Sequence, residues 1–296
     1  MKQSLIVLIA TAGENNLLAK TLESLSNCVL PASYTKTIVV ENGRKYYAEQ
    51  ITNSYVNSLK TQYLYNATAN KSAALNYAME NLEDTTLIFF TDDDVLFDKK
   101  LLLAYDRHAN LHSQGHFFGG PTIPNYEHQP PKWLIPSLPP SAKGFSFKDP
   151  FIDSMFLGFN WAAFSRDIKK MGGFNPKFGP GTVPKRTGQE TDMQKRLLEG
   201  GLSPIFILEA KVWHFVPSKN LNLRWLIKRK YEGGRGKGLR QALYSNKKNL
   251  PLRLIHELVL ALFDLVLSLF SGKEKKVLML CRLISSIGKV RGYFMR

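Results

Sequence analysis

The hydrophobic pattern begins with Ser4–Ala10, an unbroken apolar run of strand length that is closed by a turn at Gly13. From Asn15 to Leu25 the period lengthens to that of a helix, with Leu18, Leu22 and Leu25 on one face. Thr37–Val40 is a second β-branched run stopped by Asn42-Gly43, Ser72–Leu82 returns to helical spacing, and Thr86–Phe90 reads as a third buried strand. Strand, helix, strand and helix in alternation predict parallel strands joined by crossovers, hence an α/β fold. Ligands of such sheets sit at the carboxyl ends of the strands. Glu41 and Asp92 lie just past two of those ends, so the pattern gathers carboxylates at one edge.

The pattern then changes twice. Residues 120–150 hold Pro121, Pro124, Pro130, Pro131, Pro136, Pro139, Pro140 and Pro150 with aromatics between them, which predicts a long irregular and functional stretch. Asp167–Gly172 and Glu190–Gly200 read as short helices, and Ile205–Leu208 as a strand before Trp213-His214. Beyond residue 219 the chain is different in kind. In Arg253–Ser271 the polar residues Arg253, Glu257, Asp264, Ser268 and Ser271 fall in a narrow stripe at 100° per residue, and the rest is apolar apart from His256. Lys275–Lys289 repeats that design, and the basic connector 271–276 makes the pair a helical hairpin. Neither apolar stretch reaches the roughly 20 residues of a membrane span.

Charge sharpens this division. Of the net +16, residues 219–296 carry +14 (18 Lys/Arg against 4 Asp/Glu), leaving +2 on residues 1–218. A near-neutral body with a basic tail implies a polyanionic partner for the tail, either an anionic lipid surface or nucleic acid. A nucleic-acid binder should interleave the cations with stacking aromatics; Trp225, Tyr231 and Tyr244 begin such a series, but the tail then becomes continuous Leu, Val and Ile. Nucleic acid is therefore disfavoured. Two cysteines, Cys28 and Cys281, supply neither a disulfide framework nor a metal cluster, which suits a reducing compartment. Lys2, Leu5–Ala10 and Ala10-Thr11-Ala12 mimic a signal peptide, but the apolar run is short for one and is taken as the first strand.

Asp92-Asp93-Asp94 follows the strand Leu87–Thr91 directly. Three adjacent carboxylates there repel unless a cation neutralises them, and hard oxygen ligands of this kind suit Mg2+ or Mn2+ shared with substrate phosphates. Alone, the triplet could equally be a solvated acidic turn.

The order of short motifs resembles that of the family 2 inverting glycosyltransferases, whose nucleotide-binding fold is called GT-A. The matches run over about residues 4–216: Leu5–Thr11, Leu22-Glu23-Ser24-Leu25, Val39-Val40-Glu41-Asn42-Gly43, Lys71–Asn76, Phe89–Val95, Gly119-Gly120-Pro121, Gly172-Gly173-Phe174, Gly188–Asp192 with Arg196, and His214. The resemblance implies a GT-A three-layer sandwich with a mostly parallel central sheet and a C-terminal helical appendage. Residues 1–218 would be the catalytic domain, with 1–97 the nucleotide-sugar half and 98–218 the acceptor half, and 219–296 the basic tail. It implies transfer of a sugar from a nucleotide-diphosphate donor, UDP-sugars favoured, to a glycan or lipid-linked acceptor in cell-surface polysaccharide or glycoconjugate synthesis.

By the same resemblance, Thr11 and Glu41 would border the nucleobase, with Glu41 where the family more often has Asp. Lys71 and Asn76 would lie near the nucleotide, Asp92 and Asp93 beside ribose and sugar, and Asp94 would ligate the metal. His214 would be a further ligand or a plain histidine after Trp213. The family's Gly-Glu-Asp is here Gly188-Gln189-Glu190, so Glu190 stands where the catalytic base stands. On a helix Glu190 shares a face with Met193 and Leu197, whereas Asp192 lies about 200° round and four residues before Arg196, the spacing of a supporting ion pair. Glu190 is thus the expected base, with Asp192 the second candidate. Phe156–Trp161, with Gly158 and Asn160, lies where the family approaches the acceptor. Trp133 and Trp161 would stack on sugar rings or serve as core; Arg235 would close over the diphosphate or belong to a solvated basic surface. The expected location is cytoplasmic, peripheral on the cytoplasmic face of the membrane. Two other classes compete: a basic binding protein without transferase activity, and a nucleotidyltransferase, against which Thr11-Ala12-Gly13-Glu14 lacks the loop cation.

Overall fold

The computed structural model describes residues 3–13, 16–146, 156–183, 186–244 and 250–294. Lys2, Glu14, the Asn15 start of the first predicted helix and Pro150 lie outside the described residues. In chain order the elements are β1 (Ser4–Thr11), α1 (Leu17–Ser26), β2 (Tyr34–Asn42), the short α2 (Ala48–Asn53) and α3 (Val56–Leu59), β3 (Gln62–Asn66), α4 (Lys71–Met79), β4 (Thr86–Asp92), β5 (Val95–Phe97), α5 (Leu101–Leu111), β6 (His116–Gly119) and β7 (Thr122–Tyr126). A 3-10 turn at Ile135–Ser137 precedes α6 (Pro140–Lys143), β8 (Trp161–Phe164), α7 (Ser165–Lys170), α8 (Gln189–Glu199), β9 (Ser203–Phe206), β10 (Val212–Val216), α9 (Leu223–Tyr244), α10 (Leu250–Leu267) and α11 (Lys273–Phe294).

The chain forms two compact units, and their boundary departs from the sequence expectation of 1–218 and 219–296. The first unit comprises residues 1–124, 144–182 and 189–215; the second comprises 125–143, 183–188 and 216–296. Part of the proline-rich stretch therefore belongs with the C-terminal helices. The expected nucleotide and acceptor halves are one sheet with a common core: Leu5, Val39 and Phe89 share a cluster with Phe118, Ala162 and Val212.

In the first unit a seven-stranded sheet has the order β3-β2-β1-β4-β8-β6-β9. The strands β3, β2, β1 and β4 are parallel, β8 runs against both neighbours, and β6 pairs β9 in parallel. Continuous apolar strands let alternate residues serve opposite faces. Leu5, Val7, Ile9, Val39 and Phe89 point to the side covered by Leu18, Leu22 and Leu25 of α1 and by Leu101 and Tyr105 of α5. Ile6, Leu8, Val40, Ile88 and Phe90 point to the other side, against Ala74, Leu75 and Ala78 of α4 and Met193 and Leu197 of α8. Helix, sheet and helix make three layers. A second sheet, β5-β10-β7, pairs Val95 with His214.

In the second unit, α9 and α11 touch backbone to backbone. A Cβ on Gly234 would meet Ser285 O at 2.2 Å, on Gly238 Lys289 O at 1.9 Å, on Gly288 Tyr231 O at 2.3 Å and on Gly292 Arg235 O at 2.1 Å. Glycine at these four positions removes the side chains that would hold the helices apart. The 3-10 turn and α6 add Leu134, Leu138 and Ala142 to a small core with Leu226, Val277 and Cys281. Gly288→Ala and Gly292→Ala should each lower stability by about 1–3 kcal/mol through overpacking. Gly272→Ala, where a Cβ meets open space, should change nothing. Urea unfolding compares the three, and equal midpoints would remove the glycine seam from what holds this unit together.

Candidate active site

The sheet's topological switch lies between β1 and β4, with β2 continuing on one side of β1 and β4 on the other. Register places Ala10 opposite Asp92 and Thr11 opposite Glu41, so the carboxyl ends of three strands present Thr11, Glu41 and Asp92 in a row. Thr11 is buried; its hydroxyl donates to Asp93 and accepts from the Gly13 N–H at 2.9 Å. Glu41 is fully enclosed. Its Oε1 accepts from the Tyr46 N–H at 2.8 Å and its Oε2 from the Tyr63 hydroxyl at 2.6 Å. Burial and this carboxylate together hold the Tyr63 phenol well above its ordinary pKa. Gly13, at φ +70°, leaves space that a Cβ would take from Glu41 Oε1 at 2.3 Å.

Lys71 enters from the opposite side of the crevice. Asn70 caps α4 by accepting from the Ala73 N–H at 3.0 Å, and its amide donates to Pro176 O at 2.9 Å. Ser72 donates to Phe178 O at 2.9 Å, and the Lys71 N–H to Pro180 O at 3.2 Å, so the loop ahead of α8 fixes the start of α4. The Lys71 ammonium pairs with Asp92. Burial is the largest single influence and works against its charge, but Asp92 and the smaller pulls of Glu190 and Asp94 together outweigh it, and its pKa is raised. That influence brings the β4 acids and the α8 acid into one electrostatic cluster.

Asp94 stands at the turn into β5. The Phe215 N–H donates to its carbonyl at 2.9 Å, and His214 Nε2 lies 3.5 Å from its Oδ2. Phe159 stacks flat on the His214 ring, 4.3 Å between centroids. The other carboxylate oxygen, Oδ1, is buried without a hydrogen-bond partner among the described residues. Among those residues no three His, Cys, Asp or Glu side chains converge closely enough to enclose an ion by themselves. An orphaned carboxylate oxygen beside an imidazole fits a divalent cation whose remaining ligands come from phosphate and water.

The two candidate acids on the first turns of α8 separate cleanly. Asp192 is 1% exposed and takes Arg196 through Nε at 3.1 Å and Nη2 at 2.9 Å, while Arg196 also holds Gly173 O at 2.8 Å. It ties α8 to the Gly172-Gly173 turn. Glu190 is partly exposed, and its carboxylate has no hydrogen-bond or ion-pair partner among the described residues. Gly158 packs on its stem, where a Cβ would meet Glu190 Cγ at 3.1 Å. Residue type alone gave no signal for Tyr46 or Tyr63.

Three residues expected at donor or acceptor are instead parts of the frame. Asn76 spends its amide on both backbone groups of Phe174, donating at 2.8 Å and accepting at 2.7 Å. Asn160 is fully buried; Tyr105 donates to its oxygen at 2.8 Å, and its nitrogen donates to Pro121 O at 3.0 Å and Ala210 O at 2.9 Å. Trp161 is 0% exposed and stacked on Phe90 at 4.6 Å, so its ring is core and closed to a sugar. Trp133 and Arg235 belong to the second unit. There Lys273 sits 4.0 Å over the Trp133 ring and the Arg235 guanidinium 5.7 Å over that of Tyr231.

A three-layer sheet with an acidic cluster at its switch point defines a nucleotide-sugar type of α/β transferase fold. Residues 6–169 match the model of glycosyl transferase family 2, and the chain belongs to that family. It is a glycosyltransferase with a GT-A fold, which sets aside the two competing classes. Among solved structures it is similar to the mannosyltransferase PcManGT from Pyrobaculum calidifontis, in complex with GDP-Man and Mn2+, at TM-score 0.63 and 15% identity over 98% of this chain and 88% of that one. S. aureus TarS 1-349 has a TM-score of 0.56 at 12% identity, over 99% of this chain and 90% of that one. The same protein in complex with UDP-GlcNAc also has a TM-score of 0.56, at 11% identity over 99% and 91%. No curated protein matches the sequence.

Asp93 supplies a test that needs no substrate. Burial, with Asp94 and Asp92 adding to it against the Thr11 hydrogen bond, raises its pKa to about 6. Ionising it therefore costs folding energy, on the order of 2 kcal/mol, absent below the unfolded pKa of about 4 and fully present above the folded one. In chelator-treated protein, Asp93→Asn should raise the melting temperature at pH 7.5 and leave it unchanged at pH 4. A variant less stable than wild type at pH 7.5 would contradict the burial of this charge.

Proposed function

We propose that this enzyme is an inverting transferase that moves a sugar from a nucleotide-diphosphate donor, a UDP-sugar being the favoured class, to a hydroxyl of a glycan or lipid-linked acceptor. Cell-surface polysaccharide or glycoconjugate synthesis on the cytoplasmic face of the membrane is the setting this implies. One observation carries the reading. The Glu190 carboxylate, on α8, has no hydrogen-bond or ion-pair partner among the described residues, yet its charge is felt at Lys71 beside the acids of β4. A carboxylate left unpaired next to a donor crevice is suited to accept a proton.

Thr11 and Glu41, with Tyr46 and Tyr63 fixing the Glu41 carboxylate, form the nucleobase end. Asp92 and Asp93 face ribose and sugar, and Lys71 steadies Asp92 while offering positive charge to the diphosphate. Asp94 and His214 would hold Mg2+ or Mn2+; when bound, the ion offsets charge on the departing diphosphate. The orphaned Asp94 oxygen supports this, as does the Mn2+ named with the mannosyltransferase PcManGT. The neighbours carry UDP-GlcNAc in one case and GDP-Man in the other, so a nucleotide sugar is supported as a class.

Glu190 acts as general base. It takes the acceptor hydroxyl's proton as that oxygen attacks the anomeric carbon from the side opposite the diphosphate, which inverts the centre. Asp192, buried and bound to Arg196, holds the helix that aims Glu190.

Glu190→Gln should lower kcat by about 10²–10⁴-fold while leaving nucleotide affinity unchanged in calorimetry. Turnover within a few-fold of wild type would exclude Glu190 as the base. Asp94→Ala should abolish the gain in UDP or GDP affinity that Mn2+ brings, read by thermal shift with and without the ion. If the variant kept the full Mn2+ effect, the metal would have to sit elsewhere.

A further inference from the structure

The polar stripe of α10 faces its neighbouring helix. Glu257 meets Lys289 of α11 at 2.6 Å, Asp264 pairs with Arg282, and Ser268, just past the helix, is fully buried. Leu254 and Ala261, 1% and 0% exposed, complete that inner side. The outer side is apolar: Leu252, Ile255, Val259, Phe263, Val266 and Phe270 are 69%, 49%, 58%, 58%, 51% and 98% exposed. A helix made for water would be turned the other way. An apolar face of this extent marks an interaction surface.

Charge selects the occupant. The two acids of α10 are taken up by α11 cations, with Arg253 also 3.5 Å from Glu257, while Lys275 and Lys276 stand exposed shortly after Phe270. The surrounding segment, residues 219–296, carries +14. A second copy of the chain would bring this same positive charge against itself. Anionic lipid headgroups neutralise it, and acyl chains accept the apolar side. Among the described residues no helix is long and apolar enough to cross a membrane.

We propose that α10 is an in-plane anchor: it lies along an anionic lipid surface with Phe263, Phe270 and their neighbours sunk among the acyl chains and Lys275 and Lys276 on the headgroups. This goes beyond the transferase reading and stands independently of which sugar is moved.

The test is co-sedimentation of the full-length protein with vesicles of phosphatidylcholine alone and of phosphatidylcholine with phosphatidylglycerol. Wild type should partition onto the anionic vesicles. The double variant Phe263→Ser/Phe270→Ser should bind them about tenfold or more weakly, with unchanged circular dichroism and melting temperature. Lys275→Gln/Lys276→Gln should weaken binding to the anionic vesicles only. As a check against damage from the serines, Phe270→Trp should show blue-shifted emission when anionic vesicles are added. Wild type left in the supernatant, serine variants that bind as well as wild type, or an emission unmoved by lipid would each overturn the anchor. So would sedimentation equilibrium that shows wild type self-associating and the serine variant monomeric, since the face would then be covered by a second copy.

Discussion

A single buried ammonium makes the acid cluster tenable. Asp92, Asp93 and Asp94 follow one another at a sheet edge, and Glu190 faces them from α8; like charges this close in partly buried ground disfavour one another's ionisation. Lys71 stands among them, paired with Asp92 and drawn on by Asp94 and Glu190. Its position is set by the loop ahead of α8, which grips Asn70, Lys71 and Ser72 through backbone carbonyls. The same few contacts thus fix the cation, the cap of α4 and the approach to α8.

Much of this was legible in the sequence because strongly periodic segments admit one reading. Ser4–Ala10, Thr37–Val40 and Thr86–Phe90 appear as the parallel strands β1, β2 and β4, each longer in the structure, and the carboxylates beyond them fall at one edge as the crossover pattern requires. The separation of Glu190 from Asp192 also followed from helical geometry and reappears in the Arg196 pairing. The strand β3 and the helix α5 were not anticipated, and α9 was expected only as part of a helical tail without bounds of its own. Gln62–Asn66 is short and polar at both ends, and the basic run of α9 hides its periodicity.

Proximity to a motif does not reveal which polar and aromatic side chains the frame itself uses. Asn76 holds both backbone groups of Phe174. Asn160 carries good hydrogen-bonding groups, but both amide donors and the carbonyl oxygen are engaged at a buried strand junction. Trp161 sits one residue further along and packs inward because β8 is covered on that side. Burial of this kind depends on which strand is central, and that is decided by contacts distant in sequence. The polar stripe of α10 shows the same limit: the pattern revealed an amphipathic helix but not which side is sheltered.

The glycine seam between α9 and α11 bears on how the C-terminal segment can exist at all. Gly233, Gly234, Gly236 and Gly238 fall within the interior of α9, and each such residue costs a helix about 1 kcal/mol relative to alanine. Left uncovered, that stretch would unwind. The helix persists because α11 lies directly against its backbone, so two segments separated by all of α10 must meet before either is secure. The last helix is then a folding partner of α9 rather than a detachable tail, and a truncation ahead of it would melt the segment it was meant to leave intact.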